Sequence, residues 1–167
     1  MSRGYPFMAV TPDQLEQEIL VKKPLFPDNT AIYMTGSNPF ALPAGKLKKY
    51  IAILRKHFPH FARVSMQSRI DDIANKSTAE LRELCGLGLS HLYIGTENGN
   101  DAVLSLMNKG HSASETVEQL LRLDEAGITY TTFYIIGMGA RAWESPAVKP
   151  RHGCSIKCTR SGSPRQA

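Results

Sequence analysis

Short apolar segments alternate with longer amphipathic ones through most of this chain, and that order is the strongest constraint on its fold. Four short segments are rich in β-branched or aromatic residues and are predicted to be buried strands: Ala31–Met34, Arg63–Met66, His91–Ile94 and Tyr130–Ile136. Helices are predicted between them. Strands that alternate with helices pair in parallel through crossovers, so the order predicts an α/β domain, either a barrel or an open doubly wound sheet.

The predicted helices carry local start and stop signals. Thr11–Gln14, Ser77–Glu80 and Ser112–Glu115 each place a hydroxyl side chain three residues before a glutamine or glutamate, the pattern of a capping box. Gly86 and Gly127 are predicted to end the helices that follow Ser77 and Ser112.

The basic charge of the chain is confined to its last part. Residues 1–140 hold 14 basic and 14 acidic side chains, whereas residues 141–167 hold the other six basic side chains and one acidic one. A neutral domain carries no electrostatic signal for nucleic acid. We therefore predict a domain over residues 1–140, and a tail over 141–167 that is either disordered or out of the domain's reading frame.

Membrane and secretion signals are missing from the sequence. No apolar run approaches the roughly 20 residues of a membrane span, and no signal-peptide pattern is visible at the start. Three cysteines do not make a disulfide framework. These observations predict a cytoplasmic protein without membrane association.

A polar or glycine-rich turn follows each predicted strand, at residues 35–39, 67–69, 95–100 and 137–139. In parallel α/β folds these turns share one face, where ligands bind. Glycines allow the backbone to approach a ligand closely, and the following helix starts favour anionic groups. One such turn is typical of any loop, but four together predict a ligand site.

Several of these segments resemble one family. Ile94–Asp101 with Leu104 and Met107–Gly110 is similar to the radical S-adenosylmethionine (radical SAM) pattern IGxESGxxxVLxxMNKG. Tyr33–Pro39 resembles the turn after the family's second strand, and Tyr130–Gly139 resembles its fifth strand. The resemblance implies an α/β fold of the radical SAM type, a partial (β/α)6 TIM-like barrel truncated at both ends.

The family's cofactors follow from the same resemblance. They are S-adenosylmethionine (SAM) and a 4Fe-4S cluster whose three thiolate ligands come from a Cys-x3-Cys-x2-Cys loop, and the cluster cleaves SAM reductively to start radical chemistry. This chain lacks that loop, and Ser2–Phe7 resembles the segment just downstream of it. The hypothesis is therefore a fragment of a radical SAM enzyme, inactive alone, with a substrate that the sequence does not reveal.

The resemblance also implies site residues by position. In the first turn, Gly36, Ser37 and Asn38 would approach the methionyl amine of SAM. Gln67 and Arg69 would face its ribose or carboxylate, and Glu97 would face ribose or substrate. Ile136 and Gly137 would flank adenine. Ordinary structural roles are the alternatives for two of them. Arg69 could pair with Asp71 or Asp72, and Glu97 could cap the helix near Asp101.

Two motifs suggest other chemistry. Cys154 and Cys158 have part of the cluster spacing, but a serine stands at the third position and the motif lies in the tail. Gly137 and Gly139 resemble a dinucleotide fingerprint, but Pro146 interrupts the helix that must follow. Cys85 lies among leucines and is predicted to be a buried apolar residue.

Two alternative functions remain open. One is a non-catalytic binding or interaction fragment that self-associates through exposed sheet edges. The other is a dinucleotide-dependent oxidoreductase that uses the glycine motif at Gly137.

Overall fold

The computed structural model describes residues 9–25 and 31–135 as a four-stranded parallel sheet with helices. The strands are β1 (Ala31–Met34), β2 (Arg63–Ser68), β3 (Leu89–Glu97) and β4 (Thr129–Tyr134), and they pair in the order β1-β2-β3-β4. The helices are α1 (Pro12–Lys22), α2 (Ala44–His57), α3 (Ile70–Ala74), α4 (Thr78–Leu87), α5 (Asp101–Leu106) and α6 (Ala113–Ala126). The predicted α/β class with a parallel sheet is confirmed.

The prediction for β1 is confirmed at both ends, and those for the other three strands hold at their centres and differ at one or both ends. β2 continues to Ser68, and β3 runs from Leu89 to Glu97 because it pairs with β2 from Leu89 to Ile94 and with β4 from His91 to Glu97. β4 ends at Tyr134, although the backbone N–H of Ile135 still donates to the carbonyl of Glu97 at 3.0 Å. Ile136, the predicted end of β4, lies outside the described residues.

All three predicted capping boxes are present, at the starts of α1, α4 and α6. The prediction for the end of α4 was wrong, because Gly86 is helical and Gly88 ends the helix with a left-handed φ of 116°. Packing explains why the helix ends at Gly88 and not at Gly86. A Cβ on Gly88 would lie 2.8 Å from both Arg55 Nη2 and Phe61 Cε2, whereas nothing lies within 4 Å of a Cβ on Gly86. Gly127 ends α6 as predicted.

The sheet has one face packed on helices and one open face. Alternate residues of β2 and β3 are fully buried in the core: Val64, Met66, Leu92 and Ile94. The intervening residues belong to the other face. There Tyr93 makes an edge contact with Tyr33, with ring centroids 5.6 Å apart, and stacks near Phe133 at 6.2 Å. Tyr33 and Phe133 stay about half exposed, so the open face is an aromatic surface.

Cys85 is only partly buried against the core, and its thiol lies 3.5 Å from the carbonyl oxygen of Gly127.

No helix in the described ranges is long and apolar enough to cross a membrane.

His91 lies on the open face of β3, and its surroundings predict that the stability of the protein depends on pH. Its ring nitrogens lie 2.8 Å from Thr129 Oγ1 and 3.0 Å from Thr131 Oγ1. Burial, and next the charge of Arg63, lower the pKa of His91 below its usual 6.5. The unfolded chain therefore takes up the proton first, and the contribution of His91 to stability is lost as pH falls below 6.5.

We expect the free energy of unfolding to fall with acidification between about pH 8 and pH 5 more steeply in the wild type than in His91→Gln. Urea titrations at several pH values measure it. Parallel pH profiles for the two proteins would contradict the assignment.

Candidate ligand site at the carboxyl edge of the sheet

The turns after β1, β2 and β3 lie at the same edge of the sheet, as the sequence predicted. Gly36 and Ser37 form the exposed turn after β1, with left-handed φ angles of 111° and 47°. Nothing lies within 4 Å of a Cβ placed on Gly36. The backbone of this turn is therefore open to a ligand that approaches the edge.

Asn38 connects the turn after β1 to the start of α3. Its Nδ2 donates to Asp72 Oδ2 at 2.6 Å, and the same carboxylate oxygen accepts the backbone N–H of Arg69 at 3.0 Å. The other side-chain atom, Asn38 Oδ1, is buried and has no hydrogen-bond partner among the described residues. Buried polar atoms are nearly always paired, so this oxygen is an acceptor available to a bound group.

Lys76 makes a second connection between the same two elements. Its ammonium group donates to the carbonyl oxygens of Phe40 at 2.7 Å and Asp72 at 3.1 Å, and lies 4.2 Å from the centre of the Phe40 ring. Burial lowers the pKa of Lys76, against the opposing charges of Asp72 and Glu80. The turn after β1 is thus fixed by a buried lysine as well as by Asp72.

Gln67 lies near the end of β2 and Arg69 follows that strand, and both side chains are exposed at this edge. The Arg69 guanidinium donates to Asp71 Oδ2 at 2.8 Å, so one of the predicted structural pairings is present. An exposed pair of this kind is worth little in water and is easily exchanged for another anion. Arg69 therefore remains available to a carboxylate ligand.

Glu97 ends β3 with a left-handed φ of 62°, a conformation that costs a non-glycine residue about 1–3 kcal/mol. Its Oε1 accepts from Lys109 Nζ at 2.9 Å, and both side chains are mostly buried. The alternative that Glu97 caps the next helix was wrong. Asn100 caps α5, accepting from the N–H of Ala102 at 2.9 Å, because Glu97 is directed towards Lys109.

The segment Met107–Gly110 explains how Lys109 reaches the site. Asn108 has a left-handed φ of 52°, and the N–H groups of Asn108 and Lys109 bond back to the carbonyls of Ser105 and Leu104 at 3.0 Å and 2.9 Å. These two bonds form a Schellman motif, which reverses the chain at the end of α5. The family-like motif in the sequence contains both Glu97 and Lys109, but no spacing rule predicts that the two side chains pair.

Asp71 is enclosed by the next residues of the same loop. A Cβ on Gly110 would lie 2.9 Å from Asp71 Oδ2, and His111 Nδ1 lies 3.8 Å from Asp71 Oδ1. The side chain of His111 is 3% exposed, and neither ring nitrogen has a hydrogen-bond partner in the described ranges. Sequence reasoning missed Asp72, Lys109 and His111 as site residues.

The described residues fit the two cofactors differently. Within residues 9–25 and 31–135, no three His, Cys, Asp or Glu side chains are grouped to hold a metal ion, and Cys85 lies against α6 instead. These residues therefore do not fit an iron–sulfur cluster. SAM presents an ammonium group, a carboxylate and ribose hydroxyls. For these three groups the edge offers, in the same order, an acceptor oxygen, cationic side chains and a carboxylate. Ile136, Gly137, Cys154 and Cys158 lie outside the described residues.

A parallel sheet with polar side chains gathered at its carboxyl edge is the arrangement in which α/β domains bind ligands. The sequence pattern of the Radical SAM superfamily matches residues 2–145, and the chain belongs to that superfamily. No curated protein sequence matches the chain.

Solved structures of radical SAM enzymes share the fold. The cobalamin-dependent S-adenosylmethionine radical enzyme OxsB is 19% identical with a TM-score of 0.62, and the match covers 76% of this chain and 20% of OxsB. Coproporphyrinogen III oxidase (HemN) from Escherichia coli is 25% identical with a TM-score of 0.62, over 75% of this chain and 30% of HemN. Methylornithine synthase (PylB) is 12% identical with a TM-score of 0.61, over 81% and 38%. The chain thus corresponds to a part of each of these enzymes, in agreement with the predicted partial barrel.

Proposed function

We propose that this chain provides a SAM-binding part of a radical SAM enzyme, whose parent activity is reductive cleavage of SAM. The observation that carries the proposal is Asn38 Oδ1, a buried acceptor without a partner among the described residues, at the edge where the family binds its cofactor. Family membership supports SAM as the ligand.

The chemistry of SAM matches the groups at this edge. The methionyl ammonium would donate to Asn38 Oδ1, while Gly36 and Ser37 leave room for the methionine moiety. Arg69 or Lys109 would bind the carboxylate through a charge-assisted hydrogen bond. Gln67 would accept from or donate to the ribose hydroxyls, and Glu97 would accept from them. Each role uses a side chain whose ordinary hydrogen-bonding capacity suits the group that it meets.

The proposal for the described residues is SAM binding and no further step. The 4Fe-4S cluster supplies the electron for cleavage in this family, and the described residues do not fit it. Cleavage therefore belongs to the cluster-bearing enzyme, and the substrate of the radical is determined by parts of such enzymes that this chain does not span.

Calorimetric titration of the full chain with SAM tests the proposal. We expect Arg69→Met to weaken SAM binding about tenfold, since a charge-assisted bond to the carboxylate is lost. Arg82→Met is the matched control, because Arg82 pairs with Glu125 on the helical surface and is exposed to a similar extent as Arg69.

Two results would count against the proposal. One is a folded chain that does not bind SAM, which would favour the alternative of an interaction fragment with its open aromatic face. The other is an equal loss of affinity in both arginine variants, which would show that Arg69 has no particular role.

A further inference from the structure

We infer that Asp72 is a positioning residue that fixes the orientation of the Asn38 amide, so that the turn after β1 selects a ligand by its hydrogen-bond donor. This inference rests on the proposed function for the identity of the ligand, SAM, and it names the residue that makes the site specific for an ammonium group. Asp72 acts through Asn38 and does not itself contact the ligand.

The orientation of the amide follows from what each group can donate. A carboxylate is only an acceptor, whereas an amide has a donating nitrogen and an accepting oxygen. Asp72 Oδ2 lies 2.6 Å from the side-chain nitrogen of Asn38. The reversed amide would bring two acceptor oxygens to that distance, which is repulsive. Asp72 therefore directs the nitrogen of Asn38 towards itself and the oxygen away.

Asp72 is itself held without help from Asn38. Its Oδ2 accepts the backbone N–H of Arg69 at 3.0 Å, and its carbonyl oxygen accepts from Lys76 Nζ at 3.1 Å. The carboxylate is thus fixed before a ligand binds, and Asn38 adapts to it.

The fixed orientation of the Asn38 amide determines what its oxygen, Oδ1, can bind. Asn38 Oδ1 is buried and has no partner in the described part of the chain, so it favours a group that can donate. An ammonium group donates strongly and a carboxylate cannot donate at all. A ligand without the amine leaves this oxygen unsatisfied, and a site of this kind discriminates strongly against such a ligand.

Comparing two ligands tests the inference. The full chain is titrated with SAM and with the SAM analogue in which hydrogen replaces the amino group. We expect the wild type to prefer SAM about tenfold. In Asp72→Ala nothing accepts the Asn38 nitrogen, so Asn38 adopts both orientations and the preference should fall to about twofold.

A control variant separates positioning from helix capping. Glu80 has the same place in α4 as Asp72 in α3 and accepts the backbone N–H of Ser77 at 2.8 Å, away from the site. Glu80→Ala should keep the tenfold preference. General loss of folded protein lowers the apparent binding of both ligands together, so the ratio of affinities reports positioning alone.

The outcomes distinguish the inference from the proposed function. Binding of SAM by Asp72→Ala with the wild-type preference would overturn the inference and leave SAM binding intact. If the wild type does not bind SAM, the proposed function fails, and NMR of the Asn38 side-chain amide still decides its orientation. A downfield amide proton that moves upfield in Asp72→Ala supports the orientation, and an amide signal that is equal in both proteins overturns it.

Discussion

Replacing Gly88 with alanine is expected to lower the free energy of unfolding by about 3 kcal/mol. Two costs add at this position. Gly88 has a φ of 116°, which side chains rarely adopt, and the added Cβ would lie 2.8 Å from Arg55 Nη2 and from the Phe61 ring. Phe61 belongs to the buried core, so it cannot give way without opening that core.

Gly86→Ala, two residues earlier, is the control for this prediction. Gly86 lies within α4 and has nothing within 4 Å of an added Cβ, so alanine should stabilise the protein by up to about 1 kcal/mol. Urea denaturation of the three proteins measures both effects. Equal midpoints for the two variants would show that Gly88 is not the position that ends the helix.

Replacing Lys76 with methionine is expected to lower the free energy of unfolding by about 2–3 kcal/mol. Methionine keeps the apolar stem but leaves the carbonyl oxygens of Phe40 and Asp72 without the donors seen at 2.7 Å and 3.1 Å. Lys48→Met is the matched control, because Lys48 forms an exposed pair with Glu83 and should change stability by less than about 1 kcal/mol.

The pH dependence of this effect has a defined sign. Burial lowers the pKa of Lys76 below 10.5, so the unfolded chain holds more protons than the folded one just below that pH. The stability difference between the wild type and Lys76→Met should therefore grow as pH rises towards 10.5. A difference that shrinks over this range would contradict a buried, charged Lys76.

The parts of the fold that depend on local sequence were predictable. The capping boxes at Thr11, Ser77 and Ser112 need only residues three positions apart, and all three are present. The strand centres follow from short apolar runs. The end of α4 was misplaced because two glycines fit the local signal, and the choice depends on Arg55 and Phe61, which come from other elements.

The candidate site likewise has parts that could be predicted from the sequence and parts that could not. The edge at which the candidate site residues gather follows from parallel strand order, so Asn38, Arg69 and Glu97 could be placed there from sequence. The residues that pair with them could not be predicted from the sequence. Asp72 and Lys109 meet Asn38 and Glu97 only because α3 and the end of α5 return to that edge, and such pairings across 34 and 12 positions leave no periodic pattern.

The all-parallel order of the sheet also determines how the chain can acquire its structure. Ala31 pairs with Arg63, Ser65 with His91, and His91 with Thr129, so each strand pair joins residues separated by a complete helical crossover. The loop must close, at a cost in chain entropy, before any strand contact compensates for it. The helices with their capping boxes can form early because their contacts are local. We therefore expect the sheet, and with it the candidate ligand site at its carboxyl edge, to form after the helices and more slowly.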